Sequence, residues 1–128
     1  MGELHGKEFA EGEGRLKVIA RLEALGEDLL IVLEGGKSHI GAVAIGEPRP
    51  SLRDEGKISA TGSVYTFLGH KEDVIAKEMA EEVAKGLRKR TVVVAGMHWD
   101  EISPEEIEKV IEACHRLTKK IIKEVRAP

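Results

Sequence analysis

The period of the apolar residues changes along the chain, and this change restricts the fold more than any other feature of the sequence. From Arg15 the side chains alternate, with Leu16, Val18, Ala20, Leu22 and Ala24 on one face and Lys17, Ile19, Arg21 and Glu23 on the other. A period of two is that of a half-buried strand. Further on, Ile75, Met79, Val83 and Leu87 recur every four residues beside Ala76, Ala80 and Ala84, the single apolar stripe of an amphipathic helix. Strands therefore dominate the first half and helices the second.

Turn signals divide these halves into elements. Leu25-Gly26-Glu27-Asp28 has turn chemistry, and Leu29 to Leu33 is a continuous apolar run suited to a more central strand. A third strand is expected over His39–Ile45, a loop over Glu47–Gly56 where Pro48 and Pro50 fall, and a fourth strand over Ile58–Phe67. The first helix is expected to start near His70 and end between Gly86 and Lys89. The β-branched run Thr91–Ala95 then reads as a strand parallel to a neighbour, because it follows a helical crossover. Ser103, Pro104 and Glu106 form a capping box with proline at the first helical position, followed by the stripe Ile107, Val110, Ile111, Cys114, Leu117, Ile121 and Val125.

The order points to an α+β fold of two layers: a mainly antiparallel sheet (β-meander, helix, strand, helix) with two helices on one face. Residues 1–128 are expected to form a single domain, with 1–13 a loose N-terminal arm or a short edge strand. Two helices cannot cover both faces of such a sheet, yet Leu29–Leu33 and Ile40–Ile45 are apolar on both. A homodimer through the uncovered sheet face is the expected remedy.

Charge and composition exclude several functions. The net charge is −3 with Lys and Arg spread along the 128 residues, which gives no footprint for nucleic acid. No apolar run reaches membrane length, so a cytoplasmic protein is expected. The one cysteine, Cys114, cannot form an internal disulfide or a zinc cluster. Asn and Gln are absent while Glu, Lys and Arg abound, a composition found in proteins of hot environments.

Candidate chemistry gathers between Gly35 and Lys71. Gly41, Ala42 and Ala44 in one strand and Ser59, Ala60, Thr61, Gly62 and Ser63 in the next suggest a shallow platform of small residues, since glycine weakens a strand unless something must come close. Gly69-His70-Lys71 falls at a helix start, where free amides and a lysine attract an anion. Arg49, Ser51 and Arg53 lie in the same stretch, so a phosphate is one reading and an ordinary solvated helix start the other. His39, His70 and His98 stand at element boundaries without metal-ligand spacing, so no metal is expected. His39 and His70 suit hydrogen bonding to a ligand, and His98 a structural or rim position; His5 and His115 read as surface residues. Cys114 on an apolar stripe reads as a small buried hydrophobe.

In order, His39-Ile40-Gly41-Ala42-Val43-Ala44, Pro48-Arg49-Pro50-Ser51, Ser59-Ala60-Thr61, Gly69-His70-Lys71-Glu72-Asp73 and Val92–Gly96 with His98 and Asp100 resemble the D subunit of gallate decarboxylase, the LpdD-like prenylated-flavin chaperones. The resemblance implies a fold similar to the small proteasome assembly chaperones and a non-catalytic protein that handles prenylated FMN for a UbiD-type decarboxylase. It further implies cofactor contacts from His39, Arg49, Ser51, Ser59, Thr61, His70 and Lys71, with the platform of Gly41 and Ala60 admitting the ring system; Arg53 joins the cofactor-binding set on its charge in the same stretch. Two alternatives stay open: a cofactor-free assembly chaperone that docks a partner subunit, and a small enzyme with His39 or His70 as acid or base.

Overall fold

The computed structural model describes residues 6–53, 56–67 and 72–126. Six strands, β1 (Lys7–Glu11), β2 (Val18–Leu25), β3 (Asp28–Gly36), β4 (Ala42–Pro50), β5 (Ile58–Thr66) and β6 (Thr91–His98), form one sheet in the order β1-β2-β3-β6-β4-β5. Helix α1 (Asp73–Leu87) precedes β6, and α2 (Pro104–Arg126) follows it. The fold is α+β, and β3 with β6 is the parallel pair in an otherwise antiparallel sheet.

The strand order departs from an uninterrupted meander. Hairpins β2–β3 and β4–β5 form as the sequence indicates, but β6 inserts between them, with Val32 opposite Val94 on one side and Val43 opposite Val94 on the other. The β-branched run of β6 has high strand propensity, and both of its edges are paired. Strand β4 also runs on to Pro50 instead of giving way to a loop at Glu47. Its register with β6 ends at Gly46, so Pro48 and Pro50 lie where β4 borders β5 alone, and a missing amide is tolerated beside a free edge.

Both helices lie on the same face. Helix α1 packs on β4, β5 and β6, and α2 on β1 and β2. Leu22, Ile31, Leu33, Val93, Met79, Val83, Leu117 and Ile121 are fully enclosed between the layers. Glycines set the helix–sheet distance: a Cβ at Gly46 would stand 2.1 Å from the Ala80 carbonyl oxygen. Gly86 does the same between helices, since Ile122 lies 3.0 Å from where its Cβ would be, and Arg126 donates to the Gly86 carbonyl at 2.5 Å.

On the opposite face the alternation places Ile19, Leu30, Val32, Val43, Val92 and Val94, all half-buried, while Ile45 beside them is 50 % exposed. No described element covers this face. Among the described residues no helix is long and apolar enough to cross a membrane.

Candidate functional site

The end of the sheet where β6 stops and α1 begins gathers polar side chains around a cavity. The segment before β4 crosses β6 closely: Gly41 donates its amide to the Ala95 carbonyl at 2.9 Å, and a Cβ at Gly96 would fall 1.6 Å from the His39 carbonyl oxygen. His39 is thereby held against the sheet. Glu72, just ahead of α1 and 7 % exposed, sends its carboxylate into the space a side chain at Gly41 would occupy, 1.7 Å from the Cβ position. Glu72 Oε2 lies 3.0 Å from His39 Nε2 and accepts the Met97 amide at 3.4 Å, while His39 Nδ1 lies 3.1 Å from the Lys37 carbonyl. Both ring nitrogens of His39 therefore face oxygen atoms.

A more exposed chain of polar groups runs alongside. The His98 ring stands edge-on to His39 at 6.4 Å between centroids, and His98 Nε2 lies 3.2 Å from Asp100 Oδ1. Lys37 Nζ approaches Asp100 Oδ2 at 3.0 Å. The Asp100 carboxyl is held below its ordinary range, first by the Lys37 hydrogen bond and then by His98.

Between these groups and the N-terminal halves of the two helices lies a cavity of about 590 Å³. Its walls are Val74 and Ile75 of α1, Met97 and Trp99, Ile102, and Ile107, Val110 and Ile111 of α2; Glu72, Glu78, His98 and His115 supply its polar points. His115 Nε2 and Glu78 Oε2 meet at 3.1 Å and tie α2 to α1 along one side. Trp99 is anchored, its indole N–H donating to the Arg15 carbonyl and its ring filling the room left by Gly35. The volume lies within the ~300–1,000 Å³ of sites that enclose small organic ligands, and an apolar lining with a few polar points is their usual character.

The residues singled out from the sequence fall into separate places. His39 and Gly41 border this end of the sheet. Arg49 and its partner Ser59 lie at the other end of β4–β5, about 26 Å away for eight residues along a strand, and Thr61, opposite Glu47, lies about 20 Å away; Arg49 Nε donates to Thr61 Oγ1 at 2.7 Å. Ser51 donates its amide to the Lys57 carbonyl at 2.9 Å, and Arg53 its amide to Ser51 Oγ at 3.3 Å. His70 and Lys71, with the anion site read at Gly69-His70-Lys71, lie outside the described residues. The small residues have a different occupant from a flat ring: Glu72 fills the space at Gly41, Ala80 that at Gly46 and Glu81 that at Gly62. Among the described residues no group of three potential ligands could hold a metal. Cys114 is buried, and desolvation pushes its thiol up to about 12.

The cavity itself was not foreseen. Its walls come from α1, β6 and α2, whose apolar residues read individually as core stripe. The available signal was Met97-His98-Trp99 running straight on from a buried strand, with Ile107 and Ile111 at the start of the next helix.

Three comparisons bear on these findings. A family model described as a prenylated flavin chaperone LpdD-like domain matches residues 12–126. Among solved structures, a chain of a chaperone complex for yeast 20S proteasome assembly aligns with a TM-score of 0.50 at 17 % identity, covering 91 % of this chain and 97 % of that one. That likeness is one of fold. No curated protein matches the sequence.

Proposed function

Because the chain belongs to the LpdD-like family of prenylated flavin chaperones, we propose that it is a non-catalytic accessory protein that binds prenylated FMN and delivers it to a UbiD-type decarboxylase. The observation that carries the binding step is the apolar cavity of about 590 Å³. Ile75, Met97, Val110 and Ile111 would clasp the ring system and its added prenyl carbons, for which close-packed hydrocarbon is the matching surface. His98 and His115 would supply hydrogen bonds at the rim. Bound flavin would provide the electron-accepting ring used by the client, and this chain's part is to hold that ring away from water.

The bare sheet face supports a second element of the reading, a homodimer. Its centre is formed by Leu30, Val32, Val43, Val92 and Val94, and the charges Arg21, Glu23, Glu34 and Glu47 stand around it on the same face. An apolar centre inside a polar rim is the anatomy of a protein interface. The same face favours the alternative of a cofactor-free assembly chaperone, in which a partner subunit takes the place of the second copy.

Titration with reduced prenylated FMN, read by emission of the one tryptophan, Trp99, separates these readings. Cavity binding predicts saturable quenching that Ile107→Phe abolishes and Arg49→Ala leaves intact. Loss with Arg49→Ala alone would move the flavin to the far end of β4–β5. Absence of binding by the intact protein would refute the cofactor role and leave the assembly reading. Light scattering of a Val94→Glu variant reports on the dimer, which is expected to dissociate.

A further inference from the structure

Among the described residues, the charge of the cavity lining differs from that of a phosphate site. Its ionisable lining residues are Glu72, Glu78, His98 and His115, and none of the described residues lining it is lysine or arginine. A phosphate beside two carboxylates in a partly enclosed apolar space is worse off than in water. The positive ends of the two helices offer little compensation, because carboxylates already meet them: Asp73 stands in the first turn of α1 and Glu105 and Glu106 in that of α2. Lys37, near the His98 rim, is engaged by Asp100 at 3.0 Å. The hydrocarbon walls, by contrast, suit the isoalloxazine and prenyl carbons.

Resting on the flavin-carrier reading above, we propose that the cavity takes prenylated flavin ring first and leaves the ribityl phosphate outside in solvent, available to the enzyme that receives it. Transfer then needs no competition for the phosphate. The carrier contributes apolar contact, and the recipient can engage the charged end before the ring is released.

The test compares reduced prenylated FMN with prenylated riboflavin, its phosphatase product, by Trp99 quenching and calorimetry on the intact protein. The expected dissociation constants agree within about threefold, change little between low and physiological salt, and are unaffected by millimolar inorganic phosphate. A loss of about tenfold or more on removing the phosphate, the least that a charge-assisted grip contributes, overturns the ring-first orientation while leaving the carrier function standing. Failure of both flavins to bind overturns the carrier function and the orientation with it.

Discussion

Gly46 and Gly62 face each other across β4 and β5 under helix α1, yet alanine at the two positions is expected to have different consequences. At Gly46 the new Cβ would stand 2.1 Å from the Ala80 carbonyl oxygen and 2.6 Å from its carbon. Both are backbone atoms of a helix packed on three strands, so relief requires α1 to retreat from the sheet by about an ångström. Overpacking of this kind costs about 3 kcal/mol, and the reduced freedom of the unfolded chain returns about 0.5 kcal/mol. The net loss is about 2.5 kcal/mol, or roughly 10 °C in melting temperature at about 4 °C per kcal/mol for a chain of this size. At Gly62 the Cβ would meet Glu81 Cγ at 2.4 Å, part of a half-buried side chain that can swing outward with its exposed Lys77 partner, 3.7 Å away. That substitution is expected to cost less than about 1 kcal/mol. Guanidinium unfolding followed by circular dichroism measures both. Equal losses at the two positions, or a loss below about 1 kcal/mol for Gly46→Ala, would refute the argument that the helix backbone sets the requirement for glycine.

Four further outcomes follow from the geometry. Ser103→Ala removes the hydroxyl that accepts the Glu106 amide at 3.1 Å and should lower stability by about 1 kcal/mol, measured by denaturant unfolding. Burial pushes the Cys114 thiol up to about 12 from 9.0, so iodoacetamide should modify it slowly at pH 8 and rapidly after unfolding. Since the folded value lies above the unfolded one, this group's contribution is present below pH 9 and declines as pH rises from there toward 12; Cys114→Ala should flatten that alkaline decline. Glu11 is held below its ordinary carboxyl range, first by the Lys120 hydrogen bond and then by Arg116; its contribution is complete above pH 4.5 and lost as pH falls below that value, so Glu11→Gln should reduce the acid sensitivity of unfolding and detach β1 from α2 in hydrogen exchange. Gly41→Ala displaces the Glu72 carboxylate from its place beside His39 and Met97, and is expected to speed exchange of the Met97 amide by about tenfold or more, the loss of one hydrogen bond to a charged group.

Local signals carried much of the architecture. The alternation of β2, the stripe of α1 and the capping box of α2 depend on residues a few positions apart, and the structure reproduces each. The family resemblance was legible in the same way, as ordered blocks along the chain, and the matched family agrees with it. Gly41 shows where such reading stops: the sequence announces that something must come close, and in the structure the visitor is the carboxylate of Glu72, thirty-one positions later.

The sequence by itself therefore determined the kinds of elements, most of their ends, the one-sided covering of the sheet and the family. Tertiary structure decided that β6 separates the two hairpins, that Arg49 and Thr61 lie far from His39, and that an apolar cavity opens between α1, β6 and α2. The physical reason is range: periodicity and capping are satisfied within a turn or a strand, whereas strand order, close approach and enclosed volume depend on contacts between segments that no local pattern brings together.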